Sequence, residues 1–271
     1  MPEGDTVFAT AHRLRSALAG EFVTHGELRH PRLARADLRG AGIIDVGAVG
    51  KHLFVRFDHG QSLHSHLRLD GAWHLYNPGQ RWRVAGHQVR VVLDVQSWSA
   101  IGVRLHDLDL VATNEEHRLV GHLGPDLLSA AWGQVDEAEA VRRMRVQPHR
   151  TLGATLLDQR VMAGVGNVFM TEVCFLLKVA PFVPVGELDD ATLTRAVVLA
   201  RTQLYRHRGG QERNTTGERH PGRRLWVYRR SGKPCLHCGE RIRPHTLDPS
   251  TLGARPTWFC PTCQAAPARN G

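Results

Sequence analysis

The sequence predicts an α+β fold with two main domains: an N-terminal β-sandwich flanked by helices, then a helical domain that ends in a four-cysteine module. Short apolar or alternating runs separated by turn residues fill roughly the first hundred residues. From about residue 130 the apolar residues recur at helical spacing. Two Cys-x-x-Cys pairs then lie near the C-terminus. A chain of 271 residues is long enough for such domains to bury cores.

The first domain is predicted to begin with a helix and to continue as strands. Asp5 can cap a helix whose apolar face is formed by Val7, Ala11, Leu14 and Leu18. We predict six strands in a sandwich closed by that helix. The strands cover residues 42–46, 52–57, 61–66, 72–76, 88–95 and 101–105.

The second half is predicted to be helical, with helices at residues 137–144, 152–160, 168–178 and 190–205. A glycine-containing segment, residues 161–167, separates the second of these helices from the third. We predict that Asn167 caps the third helix and that the N–H groups at its start form a phosphate site. A purely structural role for the glycines remains the alternative.

These patterns divide the chain into four predicted parts. Residues 1–115 form the sandwich domain, residues 116–130 a linker, residues 131–225 a helical domain with a flexible basic segment, and residues 226–271 the cysteine-containing module.

The positive charge of the chain is concentrated in one segment. The net charge is +9, and residues 201–244 hold 12 Lys/Arg against 3 Asp/Glu, which leaves 23 of each in the rest of the chain. Such a distribution indicates a polyanionic partner whose phosphates this segment neutralises. A solvated arginine-rich linker is the simpler alternative, and the glycines of residues 206–224 favour it in part.

Four of the five cysteines form two Cys-x-x-Cys pairs, Cys235/Cys238 and Cys260/Cys263, separated by 21 residues. Two such pairs predict a tetrahedral four-thiolate Zn²⁺ site, with one structural zinc and no open coordination position. Disulfides are the alternative, which a reducing compartment disfavours. Cys174 lies in an apolar helical pattern and is predicted to be part of the core.

The chain shows no apolar run of membrane-spanning length, and its acidic start does not resemble a signal peptide. We therefore expect a cytoplasmic protein without membrane contact.

The first residues after Met1 are Pro2 and Glu3. Removal of Met1 would leave Pro2 as a free secondary amine beside a carboxylate. Because an α-amino group titrates near about 7.7–8.0, a useful fraction of it is a nucleophile at neutral pH. Taken alone, however, these residues are more simply explained as common ones near a chain start.

Six ordered motifs resemble those of the formamidopyrimidine-DNA glycosylase and endonuclease VIII family, across almost the full length of the chain. They are residues 2–4, 50–53, 66–71, 123–126, 156–167 and 227–230, followed by the zinc module with residues 255–260. The resemblance implies a helix–two-turn–helix in the second domain and a zinc finger after it. It also implies a bifunctional DNA glycosylase and AP lyase of base-excision repair, acting on damaged double-stranded DNA as a monomer, with single-stranded and bubble DNA as open alternatives.

The same resemblance implies roles for single residues. Pro2 is the nucleophile that forms an iminium with the sugar, and Glu3 moves protons. Lys51 and Arg255 bind phosphates next to the lesion. Two further groups of DNA contacts are implied: Arg68 and Leu69 as the wedge that fills the place of the flipped base, and Gly166 with Asn167 as a further phosphate site.

Two departures from the family pattern bear on specificity. Thr6 stands where many relatives have an acidic residue, and Asp70 stands where endonuclease VIII proteins have an aromatic one. Gly4 indicates the endonuclease VIII branch, which implies oxidised pyrimidines as the lesion. An oxidised-purine glycosylase and a non-catalytic protein that binds damaged DNA are the alternatives.

Overall fold

The computed structural model describes residues 2–210, 212–247 and 255–264, without the side chain of Arg255. The chain divides into two compact units, residues 1–122 and residues 123–271. The first is a β-sandwich with a long helix, and the second is helical with a small β-hairpin. The predicted α+β class is therefore confirmed. None of the described helices is both long and apolar enough to cross a membrane.

The sandwich of the first unit consists of two antiparallel four-stranded sheets, in the orders β1-β6-β7-β5 and β2-β3-β4-β8. Their inner faces and helix α1 share one hydrophobic core. The predicted apolar face of α1 is at most 4% exposed. The elements are α1 (Gly4–Leu18), β1 (His25–Leu28), β2 (Ile43–Val49), β3 (His52–Phe57), β4 (Gln61–His66), β5 (Ala72–Tyr76), β6 (Val89–Asp94), β7 (Ser99–Val103), β8 (Asp107–Ala112) and the short helix α2 (His117–Val120).

Two strands of the sandwich were not predicted, β1 and β8. Strand β8 carries Asp107 and Asp109 among its apolar residues, and acidic residues are depleted in strands. It forms because all six of its residues pair with β4. The predicted cap of α1 is also wrong: Glu3 occupies the N-cap position, and Asp5 lies buried in the first turn.

Two chain crossings between the sheets lie side by side at one end of the sandwich. Residues 67–71 connect β4 to β5, and residues 104–106 connect β7 to β8. Because β4 pairs with β8 and β5 pairs with β7, the two connections run next to each other.

The second unit is built around helix α5, of which ten of the eleven residues are buried. Such an all-round apolar helix is expected at the centre of a helical domain. Its neighbours are α4 and α6, α3 packs on α6, and β10 of a hairpin with β9 packs on α5. The elements are α3 (Gln134–Arg145), α4 (Leu152–Leu157), α5 (Asn167–Leu177), α6 (Asp190–His207), β9 (Arg243–Leu247) and β10 (Arg255–Phe259).

Helix α4 is shorter than predicted. The chain leaves the helix at Asp158, whose backbone is extended and whose carboxylate pairs with Arg150 and Arg160. These ion pairs outweigh the helical pattern of the sequence. The prediction that Cys174 belongs to the core is confirmed, because its side chain is fully buried.

Candidate functional site

Pro2 and Glu3 lie at the start of α1. Pro2 is half-buried, whereas Glu3 is 0% exposed. The backbone carbonyl of Glu3 accepts the first hydrogen bond of the helix, from the N–H of Val7 at 3.0 Å. Removal of Met1 would therefore place a secondary amine directly before a buried carboxyl group at the positive end of a helix, where negative charge is favoured. Consecutive residues would then offer a nucleophile and a proton acceptor.

Thr6, the first of the two expected departures from the family pattern, contacts a carboxyl group. Its hydroxyl donates to Oδ1 of the buried Asp5 at 3.2 Å. A carboxyl group therefore lies one residue before Thr6.

Lys51 lies in the tight turn between β2 and β3, where Gly50 has a φ of +58°. This left-handed conformation is strained for residues with a side chain, so glycine suits the turn. Lys51 is half-buried and close enough to His66 for its charge to help lower the pKa of that ring.

A cluster of four histidines surrounds this turn, and the sequence reasoning did not single it out as a site. Nδ1 of His52 lies 2.9 Å from Nε2 of His64, and the His66 and His122 rings pack on the His52 ring edge-on. Burial lowers the pKa of His52 to about 3 and that of His66 to about 4. The His52 and His66 rings are therefore neutral at pH 7, whereas Lys51 and Arg68 are cations close to His66.

Leu69 lies at the tip of the connection from β4 to β5, and 70% of it is exposed. Arg68 forms a bidentate ion pair with Asp107, and Asp70 pairs with Arg104 at 3.3 Å. Leu69 is thus an apolar tip flanked by two charge pairs.

Gly166 and Asn167 lie at the start of α5. Gly166 holds the N-cap position and Asn167 is the first helical residue, so the prediction that Asn167 caps the helix is wrong. The segment before it is held by Gln159, whose side chain donates to Val165 O at 2.9 Å and accepts from Gly164 N at 3.0 Å. This glutamine was part of a recognised motif but was not predicted as a site residue.

The Asn167 side chain connects the start of α5 to the hairpin. Its Nδ2 donates to the carbonyl of Pro256 at 2.9 Å, and its buried Oδ1 has no hydrogen-bond partner among the described residues. Pro256 directly follows Arg255, the first residue of β10. The side chain of Arg255 lies outside the described residues. Its backbone pairs with Leu247, and the next residue, Pro256, is the partner of Asn167.

The four cysteines of the module come together as predicted, with their sulfur atoms all within 4.8 Å of one another. Two of the separations are 3.9 Å, from Cys235 to Cys263, and 3.4 Å, from Cys238 to Cys260. Four thiolates around a tetrahedral zinc, with Zn–S bonds of about 2.3 Å, require sulfur separations of about 3.8 Å. The donor set therefore fits a metal ion of this kind.

Glu172 anchors the segment that leads into the cysteine module. Its carboxylate is fully buried in α5 and accepts hydrogen bonds from the backbone N–H groups of Trp226, Val227 and Tyr228, at 2.8, 3.0 and 2.9 Å. The sequence signal of this role is a glutamate within a mostly apolar helix, and the sequence analysis does not predict a role for it.

The structure places the candidate residues in both units. Pro2, Glu3, Lys51, Arg68 and Leu69 belong to the first unit, in which Lys51 and Arg68 both lie near His66. The second unit holds Gly166, Asn167, Arg255 and the four cysteines, and it brings Asn167 next to the hairpin that begins at Arg255.

Comparison with known proteins gives consistent similarities. Residues 1–124 match the model of the formamidopyrimidine-DNA glycosylase N-terminal domain. The chain is 48% identical to a probable endonuclease 8 2 of Streptomyces coelicolor, over 99% of this chain and 95% of that protein. It is 43% identical to the DNA-(apurinic or apyrimidinic site) lyase Nei2 of Mycolicibacterium smegmatis, over 98% of this chain and all of that protein.

Solved structures show the same fold. The Lactococcus lactis Fpg protein, in a complex with DNA that contains N7-benzyl-Fapy-dG, superposes with a TM-score of 0.81. The alignment covers 97% of this chain and 100% of that chain at 22% identity.

Proposed function

The chain belongs to the formamidopyrimidine-DNA glycosylase and endonuclease VIII family, in its endonuclease VIII branch, and we propose that it is a bifunctional DNA glycosylase and AP lyase of base-excision repair. The observation that carries this proposal is Pro2 at the head of α1, followed by the fully buried carboxylate of Glu3. A relative that covers nearly the whole chain is named as a lyase for apurinic or apyrimidinic sites.

The proposed chemistry starts on a nucleotide flipped out of the duplex, which costs a few kcal/mol. With Pro2 as the first residue, its nitrogen attacks the anomeric carbon of the sugar and the base leaves with the bonding electron pair. Glu3 transfers protons to and from the sugar oxygen as the ring opens. The resulting iminium acidifies the neighbouring carbon, so loss of its proton expels the 3′ phosphate, and a second elimination expels the 5′ phosphate.

Binding the DNA is assigned to the cations and polar groups of both units. Lys51 and Arg255 hold phosphates next to the lesion, and Gly166 with Asn167 holds another. The buried Oδ1 of Asn167 that lacks a partner among the described residues supports a polar contact there. Leu69 fills the space of the flipped base, as its 70% exposure supports.

We propose one structural Zn²⁺ at Cys235, Cys238, Cys260 and Cys263. Four thiolates leave no open coordination position, so the ion stabilises the finger and takes no part in the reaction.

The proposed substrate is damaged double-stranded DNA with an oxidised pyrimidine, with bubble and single-stranded DNA as further substrates to compare. Solved relatives of this fold hold damaged DNA. The relatives are bacterial, so a DNA repair activity implies a cytoplasmic location. Light scattering tests the further proposal that the chain acts as a monomer.

Borohydride trapping tests the activity. Protein that begins at Pro2 is incubated with duplexes that carry thymine glycol, 8-oxoguanine or an abasic site, and borohydride reduces any iminium to a stable covalent band. We expect a band that Pro2→Gly and a retained Met1 both abolish. Thymine glycol trapped faster than 8-oxoguanine supports the pyrimidine proposal, and the reverse order supports the oxidised-purine alternative. DNA binding without a band on any substrate would show a non-catalytic damage-binding protein.

A further inference from the structure

The two sheet-to-sheet connections lie side by side at one end of the sandwich. Together with the strand residue at one end of each, we call them the tip loops (residues 66–71 and 104–107). Arg68 has a φ of +48° and Arg104 a φ of +50°. A left-handed backbone is unfavourable for residues with a side chain and persists only where the surroundings hold it. Each of the two loops therefore contains one strained arginine.

Hydrogen bonds from two backbone N–H groups hold the first loop in this conformation. The N–H of Arg68 donates to Nδ1 of His66 at 2.9 Å, and the N–H of Gly71 donates to the carbonyl of Leu67 at 2.8 Å. A Cβ atom at position 71 would lie 2.6 Å from that carbonyl oxygen and 3.1 Å from the carbonyl oxygen of Arg104. Only glycine fits where the two loops meet.

Charge pairs join one loop to the other. The Arg68 guanidinium donates through Nε and Nη2 to the two oxygens of Asp107, and the Nη2 bond measures 2.9 Å. This hydrogen bond holds the pKa of Asp107 below its usual range. A second pair runs from the second loop to the first. Nε of Arg104 donates to the backbone carbonyl of Asp70 at 3.1 Å and lies 3.3 Å from the Asp70 carboxylate.

We propose that Asp107 is a positioning residue for the wedge, because its pair with Arg68 holds the first tip loop in the conformation that presents Leu69. In this proposal Arg68 stabilises the loop conformation, and Leu69 alone enters the base stack. Inserting a side chain between bases requires unstacking, so a wedge that is already ordered avoids an additional loss of conformational entropy on binding. The role of Leu69 as a wedge rests on the proposed function, but the effect of the Arg68–Asp107 pair on the loop can be measured in the free protein.

The first experiment measures amide hydrogen exchange in the protein without DNA. Asp107→Asn keeps the shape of the side chain and removes its charge, and we expect faster exchange at the N–H groups of Arg68 and Gly71. Asp109→Asn is the matched control: it lies two residues further along β8 and pairs with Arg32 and His64, neither of which belongs to the tip loops. Unchanged exchange at Arg68 and Gly71 in Asp107→Asn would refute the claim that the Arg68–Asp107 pair holds the loop, whether or not the protein is an enzyme.

The second experiment measures single-turnover excision of one lesion in a closed duplex and in a bubble. The ion pair is partly exposed, at 59% for Arg68 and 33% for Asp107, so its loss should slow excision in the duplex by about two- to fivefold. The bubble, which needs no wedge, should be cut at the wild-type rate. Denaturant unfolding of Asp107→Asn confirms that the variant is folded.

A double-mutant cycle shows whether Asp107 acts through Leu69. In a Leu69→Ala background the change Asp107→Asn should have no further effect, because no wedge remains to be positioned. Additive losses, or faster excision by Asp107→Asn because a released Arg68 acts on the DNA directly, would overturn the proposal. A wild-type protein without activity on any lesion would instead contradict the proposed function and leave the exchange result standing.

Discussion

Replacing Glu172 by glutamine should destabilise the second unit strongly, although the two side chains have nearly the same shape. Oε1 of Glu172 accepts from the N–H groups of Val227 and Tyr228, and Oε2 accepts from that of Trp226 and from the Thr215 hydroxyl. In the least costly orientation, the glutamine amide keeps its oxygen at the Oε1 position. Its NH₂ group then faces the Trp226 N–H, donor against donor.

The magnitude follows from these contacts. A buried donor without a partner costs about 1–3 kcal/mol, and hydrogen bonds to a charged acceptor exceed those to a neutral one by about 1 kcal/mol. The expected loss is therefore about 2–4 kcal/mol, or about 5–15 °C in the melting temperature of a unit of this size. Glu172 is 0% exposed, so solvent does not compensate for the loss.

The assay is denaturant unfolding of the zinc-loaded protein, followed by tryptophan fluorescence. Glu187→Gln is the control, since it makes the same charge change at an exposed position of the same unit; we expect a change of under about 0.5 kcal/mol there. A Glu172→Gln protein that unfolds at the wild-type midpoint would refute the idea that this carboxylate anchors the segment before the cysteine module.

Three further predictions concern the metal, a phosphate contact and pH. Stripping zinc with a chelator should unfold the finger and abolish DNA binding, as metal analysis and a binding assay would show; full activity without zinc would contradict a structural role. Arg255→Ala should weaken binding equally for all lesions and reduce the salt dependence by about one counterion, whereas a lesion-selective loss would argue against a phosphate contact. Burial lowers the pKa of His52 in the folded protein to about 3, below its unfolded value. Because the unfolded chain then binds the proton first as the pH falls, the contribution of His52 to the free energy of unfolding should be constant above pH 7 and decrease from pH 6.5 toward pH 4. Urea midpoints at pH 7.5 and 5 check this, and a His52→Asn variant should show a flatter dependence.

Much of the fold could be predicted because the patterns that encode it are local. The spacing of Val7, Ala11, Leu14 and Leu18 places them on one helix face whatever else the chain does, and they are buried. The six predicted strands are present, with ends that differ by up to three residues. The four-part division with boundaries at residues 115, 130 and 225 stays a prediction, as do the roles of the individual DNA contacts.

The errors lie where contacts that hydrophobic periodicity does not report override local preference. The helix predicted to run to Arg160 ends at Leu157, because Asp158 takes Arg150 and Arg160 as partners. Strand β8, with two aspartates in its six residues, exists because β4 supplies its hydrogen bonds. The helix caps were assigned to Asp5 and Asn167, but Glu3 and Gly166 take those positions.

The sequence by itself determined the chemistry that neighbouring residues can supply: a Pro2 that removal of Met1 would turn into an amine beside Glu3, and two pairs of cysteines at metal-binding spacing. Only the tertiary structure decided which distant charges meet. It pairs Arg68 with Asp107, 39 positions away, and sets the Glu172 carboxylate against the backbone of Trp226–Tyr228. The physical reason is that periodicity and spacing report a residue's local surroundings, whereas these contacts arise from the pairing of β4 with β8 and the packing of the cysteine module on α5.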